Sequence, residues 1–138
     1  MNRTCAACGT VNRIPARHLT HAGRCGQCKG ALPPLAAPLE VDEATFDDVV
    51  KNLGEPVMVD FYADWCGPCK AAAPHVAQVA RDLAGKVVVL KVNTDRQPGL
   101  ASRFNIRSIP TFMVLHHGKK LVEQAGAVDR RTMEQWLS

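Results

Sequence analysis

Three pairs of cysteines in the chain share one spacing, with two residues between the thiols of each pair. The pairs are Cys5 and Cys8, Cys25 and Cys28, and Cys66 and Cys69. Thiols at this spacing either hold a metal ion together with a second pair or form a reversible disulfide. Because the spacing is the same in all three, the surroundings of each pair must decide between these two chemistries.

The first two pairs have the pattern of a metal site. Sixteen residues separate them, which is typical of zinc sites built from two cysteine pairs. Zinc prefers four tetrahedral ligands, and four thiolates leave no open position for catalysis. We therefore expect one structural Zn²⁺ bound by Cys5, Cys8, Cys25 and Cys28. In one alternative His18 or His21 replaces a ligand, although we expect both at the surface. In another, the four thiols are redox-active and release zinc on oxidation.

The excess positive charge lies entirely in the first part of the chain. Before Glu40 there are five basic residues and no acidic one, whereas the rest has twelve basic and thirteen acidic residues. A basic leader can bind nucleic acid, but here the basic residues are not interleaved with aromatic ones. Four thiolates around one Zn²⁺ have a net charge of about −2, which nearby cations stabilise. We therefore favour a metal site and expect no nucleic-acid partner.

The third pair, Cys66 and Cys69, has no further cysteines with which to complete a closed metal site. Cys66 falls where a buried strand gives way to a helix, and the unpaired amides at a helix start stabilise a thiolate. Cys69 comes one turn later on the same face, close enough for a disulfide. Pro68 suits the first turn of a helix, and Gly67 leaves the backbone open to a bulky partner. We predict a reactive dithiol in an exposed position, with Cys66 ionised near neutral pH.

A carboxylate interrupts the apolar run before this pair. Asp60 stands in "VMVDFYA", where burial raises the pKa of a carboxyl unless a cation compensates. Beneath the dithiol, a buried acid can exchange the proton of Cys69. Lys91 in "VVVLKV" is the expected partner of Asp60, although its ammonium can also extend to solvent. The alternative for Asp60 is a silent ion pair or a position at the strand end.

Apolar periodicity predicts the elements that position these residues. A helix capped by Asp42 precedes the buried strand "PVMVDFYA", and a second helix, with Pro74 inside it, runs from about Cys66 to Gly85. The elements that follow are the strand "KVVVLKV", a short helix from Pro98 to Phe104, an antiparallel hairpin of "TFMVLHH" and "LVEQAG", and a helix from Arg130 to Leu137 capped by Asp129. Together they predict an α/β fold in which a mixed central sheet has helices on both faces.

The chain divides into three predicted parts. Residues 1–30 form a zinc-binding module with too few large apolar side chains for its own core, residues 31–39 form a Pro- and Ala-rich linker, and residues 40–138 have nearly all the strand and helix patterns. No apolar run approaches the ~20 residues that cross a bilayer, and the N-terminus lacks the apolar core of a secretory signal. We expect a cytoplasmic monomer with no membrane partner, in a compartment that keeps thiols reduced.

Four separated landmarks together resemble the thioredoxin family. They are "FYADWCGPCK", the buried Asp60, "SIPT" at residues 108–111 and Gly126. Pro110 in "SIPT" stands directly before a strand, where it requires an edge position or a cis bond. The resemblance covers residues 40–138, and the four-cysteine leader makes the chain similar to the zinc-binding bacterial thioredoxins. Tyr62 departs from the resemblance, because many thioredoxins have Trp there.

The resemblance implies a thioredoxin fold and protein-disulfide reductase activity. Cys66 would attack a target disulfide to give a mixed disulfide, Cys69 would resolve it, and Asp60 and Lys91 would manage the proton. The docking surface for disulfide-containing target proteins would be formed by Trp65, Gly67, Pro68, Ile109, Pro110 and Gly126. The chain has no nucleotide-binding fingerprint, so an external NADPH-dependent thioredoxin reductase would re-reduce it.

Two other functions are compatible with the residues. The direction of electron flow depends on relative potentials, so a disulfide oxidant or isomerase would use the same dithiol. In the second alternative function, the first 39 residues are a zinc-ribbon binding module or a zinc-linked redox sensor, and the α/β part is a scaffold.

Overall fold

Short strands and turns make up the first part of the chain. The computed structural model describes all residues, 1–138. Two antiparallel hairpins, β1 with β2 and β3 with β4, flank a single 3-10 turn. The elements are β1 (Asn2–Thr4), β2 (Val11–Arg13), the 3-10 turn (Ala16–His18), β3 (Gly23–Arg24) and β4 (Ala31–Leu32). Each hairpin brings one cysteine pair to its side of the module.

The remaining residues form one five-stranded sheet with four helices. Its strand order is β5-β7-β6-β8-β9, where β5, β7 and β6 are parallel and β8 and β9 are antiparallel to their neighbours. The elements are β5 (Leu39–Glu40), α1 (Glu43–Asn52), β6 (Val57–Tyr62), α2 (Gly67–Asp82), β7 (Val88–Asn93), α3 (Pro98–Arg103), β8 (Thr111–His116), β9 (Lys119–Ala125) and α4 (Arg130–Leu137). The predicted α/β fold with a mixed central sheet is confirmed.

The central strand β6 is buried on both faces, as its near-continuous apolar run predicts. Val57, Val59 and Phe61 pack with side chains of α1 and α3, whereas Met58 packs with side chains of α2 and α4. Because side chains alternate along a strand, Asp60 points to the same face as Met58. The strand therefore directs its one carboxylate toward α2.

Side-chain caps start two of the helices where the sequence predicts them. Asp42 accepts a hydrogen bond from the backbone N–H of Thr45 over 2.8 Å, and Asp129 accepts one from Thr132 over 3.0 Å. Helix α2 begins at Gly67, one residue after the predicted start, because Cys66 is its N-cap. This places the Cys66 sulfur at the free amides of the first turn.

The first part of the chain shares the main core of the sheet. Leu19 has no exposed surface and Ala16 is only 3% exposed, and both belong to the cluster that contains Phe46 and Val49 of α1. The backbone N–H of Leu35 donates to the carbonyl of Leu19 over 2.9 Å. Burying a leucine stabilises a fold by about 1.5–3 kcal/mol, so this contact couples the stability of the two parts. No helix in the chain is both long and apolar enough to span a membrane.

Candidate functional site

The third cysteine pair lies at the start of α2. Cys66 is the N-cap, Cys69 is in the first turn, and the two sulfurs are joined in a disulfide with a Cα–Cα distance of 5.2 Å. The backbone N–H of Cys69 donates to the Cys66 sulfur over 3.2 Å. An amide donor and the positive end of the helix dipole both stabilise a negative charge on that sulfur. In the reduced protein, this geometry favours Cys66 as the thiolate.

Both sulfurs lie deeper than the sequence predicts. Cys66 is 3% exposed and Cys69 is 6% exposed, because Ala63 and the partly buried Tyr62 and Ile109 pack against them. The expectation of an exposed dithiol is therefore wrong for the structure with the disulfide formed. A target must reach Cys66 along the neighbouring backbone.

That neighbouring backbone belongs to the loop before β8. The Cys66 sulfur lies 3.7 Å from the carbonyl oxygen of Ile109, and the bond between Ile109 and Pro110 is cis. The N–H of Gly126 donates to the Pro110 carbonyl over 2.8 Å. Gly126 adopts a φ of +94°, which favours glycine over residues with a Cβ. The loop therefore places the Ile109 carbonyl beside the sulfur.

Trp65 precedes Cys66 and is the most exposed large apolar side chain near the pair. It is 70% exposed, and its indole N–H donates to Asp95 over 2.9 Å. Together with Ile106 and Ile109 it lines a cavity of about 200 Å³. Gly67 and Pro68, at the start of α2, are also exposed. Of the predicted docking residues, Trp65, Gly67, Pro68 and Gly126 are therefore exposed, whereas Ile109 is partly buried and Pro110 is buried.

Asp60 is buried beneath the dithiol, with 3% of its surface exposed. Burial raises the pKa of its carboxyl to about 7, although the Lys91 ammonium lowers it. Lys91 is in register with Asp60 on the neighbouring strand β7. The expected direct pair does not form: one Asp60 oxygen, Oδ1, has no hydrogen-bond partner, and Lys91 Nζ lies over the ring of Tyr62, 4.2 Å from its centroid.

A cavity lies between the second cysteine and Lys91. Its volume is about 160 Å³, and Cys69, Lys91 and Tyr62 are among the residues that line it. Apolar surface makes up most of its lining, but the charged side chains of Asp64, Lys70 and Lys91 also border it and can bind water there. The cavity can therefore connect the sulfur of Cys69 to the groups around Asp60.

One contact in this region could not be predicted from the sequence. The Tyr62 hydroxyl donates to Glu40 Oε2 over 2.5 Å, and Glu40 is in register with Lys91. Tyr62 was singled out only as a departure from a resemblance. No local pattern points to Glu40, because it lies 22 residues away at the end of a two-residue edge strand.

The other four cysteines form a single cluster. Their sulfurs all lie within 4.8 Å of one another, and the short contacts cross between the two pairs. Cys5 Sγ is 3.6 Å from Cys28 Sγ, and Cys8 Sγ is 3.7 Å from Cys25 Sγ. An ion bound tetrahedrally at about 2.3 Å to each sulfur would place the sulfurs about 3.8 Å apart. The cluster therefore fits a tetrahedral metal ion.

Hydrogen bonds in the cluster favour thiolates, whereas crowding opposes them. The backbone N–H of Cys28, the Asn12 side chain and the N–H of Gln27 lower the pKa of Cys25 to about 6. The N–H of Gly30 lowers the pKa of Cys28, but the thiols of Cys8 and Cys5 outweigh it and raise that pKa to about 11. Four adjacent thiolates thus require a cation in their midst. No sequence pattern pointed to Asn12 as a support of the cluster.

The two histidines of the first part lie outside the sulfur cluster. His18 and His21 are exposed, and their Nδ1 atoms are 3.0 Å from each other. His21 Nε2 lies 3.9 Å from Glu55. The group of metal-ligating atoms contains cysteines alone, so the alternative with a histidine ligand is wrong for this structure.

Comparison with known families gives two matches along the chain. The thioredoxin family model matches residues 37–138, and the model described as the N-terminal part of thioredoxin 2, a zinc ribbon, matches residues 4–30. Together the two models cover both sites described above. Neither match extends over residues 31–36.

Individual relatives are similar over the same regions. Thioredoxin C-3 of Corynebacterium nephridii is 42% identical over 133 residues, which cover 96% of this chain and 90% of that protein. Thioredoxin 1 of Nostoc sp. is 45% identical over 103 residues, which cover 75% of this chain and 96% of that protein.

Solved structures show the same fold. A mutant thioredoxin from Halobacterium salinarum superimposes with a TM-score of 0.69 at 32% identity, covering 75% of this chain and 89% of that one. Thioredoxin F from spinach chloroplast gives a TM-score of 0.68 at 33% identity, covering 74% of this chain and 85% of that one. Since the family match spans the whole sheet and the cysteine pair at the start of α2, the chain belongs to the thioredoxin family and is a thiol-disulfide oxidoreductase.

Proposed function

We propose that the chain reduces disulfides in target proteins, with Cys66 as the nucleophile and Cys69 as the resolving thiol. The Cys66 thiolate attacks one sulfur of a target disulfide, forms a mixed disulfide and releases one target thiolate. Cys69 then loses its proton and attacks the Cys66 sulfur, which releases the second target thiolate. Two electrons pass to the target, and the Cys66–Cys69 disulfide remains. The observation that supports this order is the N–H of Cys69 directed at Cys66 Sγ.

The resolving step needs an acceptor for the proton of Cys69. Asp60 suits this role, because its carboxyl has a pKa of about 7 and so exchanges protons near neutral pH. Cys69 and Lys91 line one cavity, and Lys91 is in register with Asp60, so water in that cavity comes close to both the sulfur and the carboxylate. The Lys91 ammonium limits the cost of charging Asp60 in the interior.

Target proteins dock on the exposed surface around the disulfide in this proposal. An extended target segment lies along the backbone of Ile109, whose carbonyl is 3.7 Å from Cys66 Sγ. Trp65, Gly67, Pro68 and Gly126 supply apolar contacts at this surface, and the buried Pro110 adjoins the Ile109 backbone. Re-reduction comes from an external NADPH-dependent thioredoxin reductase, in the reducing environment of the cytoplasm.

The metal cluster has a structural role in the proposal. Cys5, Cys8, Cys25 and Cys28 hold one Zn²⁺, which when bound neutralises part of their negative charge and ties the two hairpins together. No ligand position is left for a substrate, so no step of the disulfide exchange involves this site. Residues 16–19, which lie between the two cysteine pairs, contribute Leu19 to the hydrophobic core of the sheet.

A coupled assay tests the reductase function. The purified chain is given thioredoxin reductase, NADPH and insulin as the disulfide protein, and NADPH oxidation is followed. We expect turnover in the wild type, none in Cys66→Ser, and a stable mixed disulfide with the target in Cys69→Ser. Absence of turnover in the wild type, or full turnover in Cys66→Ser, would overturn the proposal. The potential of the Cys66–Cys69 pair against glutathione then decides whether reduction is the favoured direction.

A further inference from the structure

Three charged residues lie in one row across the sheet. Glu40 on β5 is in register with Lys91 on β7, and Lys91 is in register with Asp60 on β6. Residues in register on neighbouring parallel strands point to the same face of the sheet, here the face covered by α2. The row therefore places one cation between two carboxylates, of which Glu40 is exposed and Asp60 is buried.

Tyr62 connects the outer carboxylate to the cation. Its hydroxyl donates to Glu40 Oε2 over 2.5 Å, and its ring centroid lies 4.2 Å from Lys91 Nζ. Tyr62 also follows Asp60 by two residues on β6 and so lies on the same face. An ammonium over an aromatic face is held there by the ring quadrupole. Tyr62 thus binds Glu40 through its hydroxyl and holds the Lys91 ammonium over its ring.

Two further ionisable groups, the exposed Asp64 and Lys70, line the cavity beside Lys91. The partner of Asp60 on β8 is the apolar Phe112. Helix α2, which covers this face, brings Cys66 and Cys69 at its start. Burial raises the pKa of Asp60, Lys91 lowers it and Glu40 raises it. The charge of Lys91 is therefore the main favourable influence on an ionised Asp60, and Glu40 acts against it.

We propose that Glu40 is a positioning residue for the proton transfer at Cys69: held by the Tyr62 hydroxyl, its carboxylate acts on the Lys91 ammonium from one side of the row while Asp60 acts on it from the other. The inference rests on the proposed function, in which Asp60 accepts that proton. Without the charge of Glu40, more of the field of Lys91 acts on Asp60, and its carboxylate binds a proton less well. Glu40 thereby sets the pH range of the resolving step.

Titration of the Asp60 carboxyl by ¹³C NMR in the reduced full-length protein tests the coupling. Glu40→Gln removes the charge but keeps an acceptor for the Tyr62 hydroxyl. Two strand spacings separate the carboxylates, so we expect the Asp60 midpoint to fall by about 0.5–1 pH unit. Glu123→Gln is the matched control, because Glu123 on β9 is also two strands from β6 but is in register with Met113, on the opposite face. Equal midpoints in the two variants would overturn the inference.

A second pair of variants tests the part assigned to Tyr62. Tyr62→Phe keeps the ring but removes the hydroxyl that holds Glu40. In this background we expect Glu40→Gln to lower the Asp60 midpoint by less than half as much as in the wild type, since coupled residues are not additive. An undiminished effect would show that Tyr62 does not hold Glu40 for this purpose.

The pH profile of insulin reduction separates this inference from the proposed function. If Asp60 accepts the proton, the acid limb of the profile moves with the NMR midpoint in Glu40→Gln and is lost in Asp60→Asn. A profile unchanged in Asp60→Asn would overturn the proton step of the proposed function. An NMR midpoint unchanged in Glu40→Gln, with normal turnover and a profile that responds to Asp60→Asn, would overturn only the role of Glu40.

Discussion

The sulfur cluster and the dithiol contain the same cysteine spacing but differ in how the backbone continues after it. In the cluster, each pair closes a single turn. The backbone N–H of Gly9 donates to the Cys5 carbonyl, and that of Lys29 donates to the Cys25 carbonyl. Gly9 and Lys29 have positive φ values of 76° and 63°. At the dithiol, the backbone N–H of Lys70 donates to the Cys66 carbonyl, and the chain continues as α2. The closed turns direct each sulfur at the other pair, whereas the helix keeps its two sulfurs together.

The two regions also differ in how they neutralise sulfur charge. In the cluster, neighbouring thiols raise the pKa of Cys28 to about 11, so a cation is required before all four sulfurs can ionise. At the dithiol, one amide of the helix start faces Cys66, and the disulfide removes the charge altogether. In the cluster, a bound metal ion stabilises the thiolates. At the dithiol, reduction of the disulfide gives a reactive thiolate. Spacing alone therefore does not determine the chemistry of a cysteine pair.

Removal of the metal is expected to have the largest effect on this contrast. Structural zinc contributes about 10–16 kcal/mol in small zinc domains, and here the residues between the cysteine pairs share the core of the sheet. We expect a strong chelator to lower the Tm of the entire chain by more than about 10 °C. Reduction of Cys66–Cys69 should change the Tm much less, because its loop closes only three residues. Thermal unfolding of the metal-loaded, chelated and reduced protein measures all three; an unchanged Tm after chelation contradicts the coupling.

Leu19→Ala tests whether that coupling runs through the shared core. The side chain has no exposed surface, so its truncation should cost about 2–5 kcal/mol in unfolding free energy. Val11→Ala, in the same part of the chain but 58% exposed, is the control and should cost less than about 0.5 kcal/mol. Urea unfolding followed by Trp fluorescence gives both values. Equal unfolding free energies of the two variants would show that the packing of Leu19 does not couple the stability of the first part to that of the sheet.

Much of both regions could be predicted from the sequence, because local patterns determine them. Near-continuous apolar runs predict β6 and β7, the caps Asp42 and Asp129 predict the helix starts, and cysteine spacing predicts the metal ligands. The docking of Leu19 was not predictable, since a single leucine in a polar leader has no periodicity that shows which surface buries it. The contact between Tyr62 and Glu40 depends on the strand order β5-β7-β6, which joins residues distant in sequence.

Asp60→Asn tests how much the buried carboxylate beneath the dithiol lowers the free energy of unfolding. Because its pKa is about 7 in the fold and near 3.9 in the unfolded chain, the fold binds the proton more tightly. The resulting stability is complete below about pH 4 and is lost as the pH rises through 7. The variant should therefore be more stable than the wild type at pH 8.5, by up to about 4 kcal/mol, and gain little at pH 4.

Denaturant unfolding at both pH values measures this difference. Glu123→Gln removes an exposed carboxylate and is expected to change stability by less than about 0.5 kcal/mol at either pH. A gain in Asp60→Asn that is equal at pH 4 and pH 8.5 would refute the assigned cause. No carboxylate supports the sulfur cluster, so the same pH dependence should be absent from metal retention above pH 7.

Asn12→Ala should have the smallest effect, and it acts on the cluster alone. Asn12 Nδ2 lies 3.5 Å from Cys25 Sγ, and its Oδ1 accepts from the N–H of Gly26 over 2.9 Å, so it orients one metal-binding turn without binding the metal. Loss of such a supporting contact typically weakens metal binding by about 10–100-fold. Competition with a zinc chelator of known affinity gives this ratio, and insulin reduction by the metal-loaded variant should stay within about twofold of the wild type. If the variant instead lost reductase activity while retaining its metal, the two regions would be coupled through more than stability, because Asn12 contacts no residue of the dithiol.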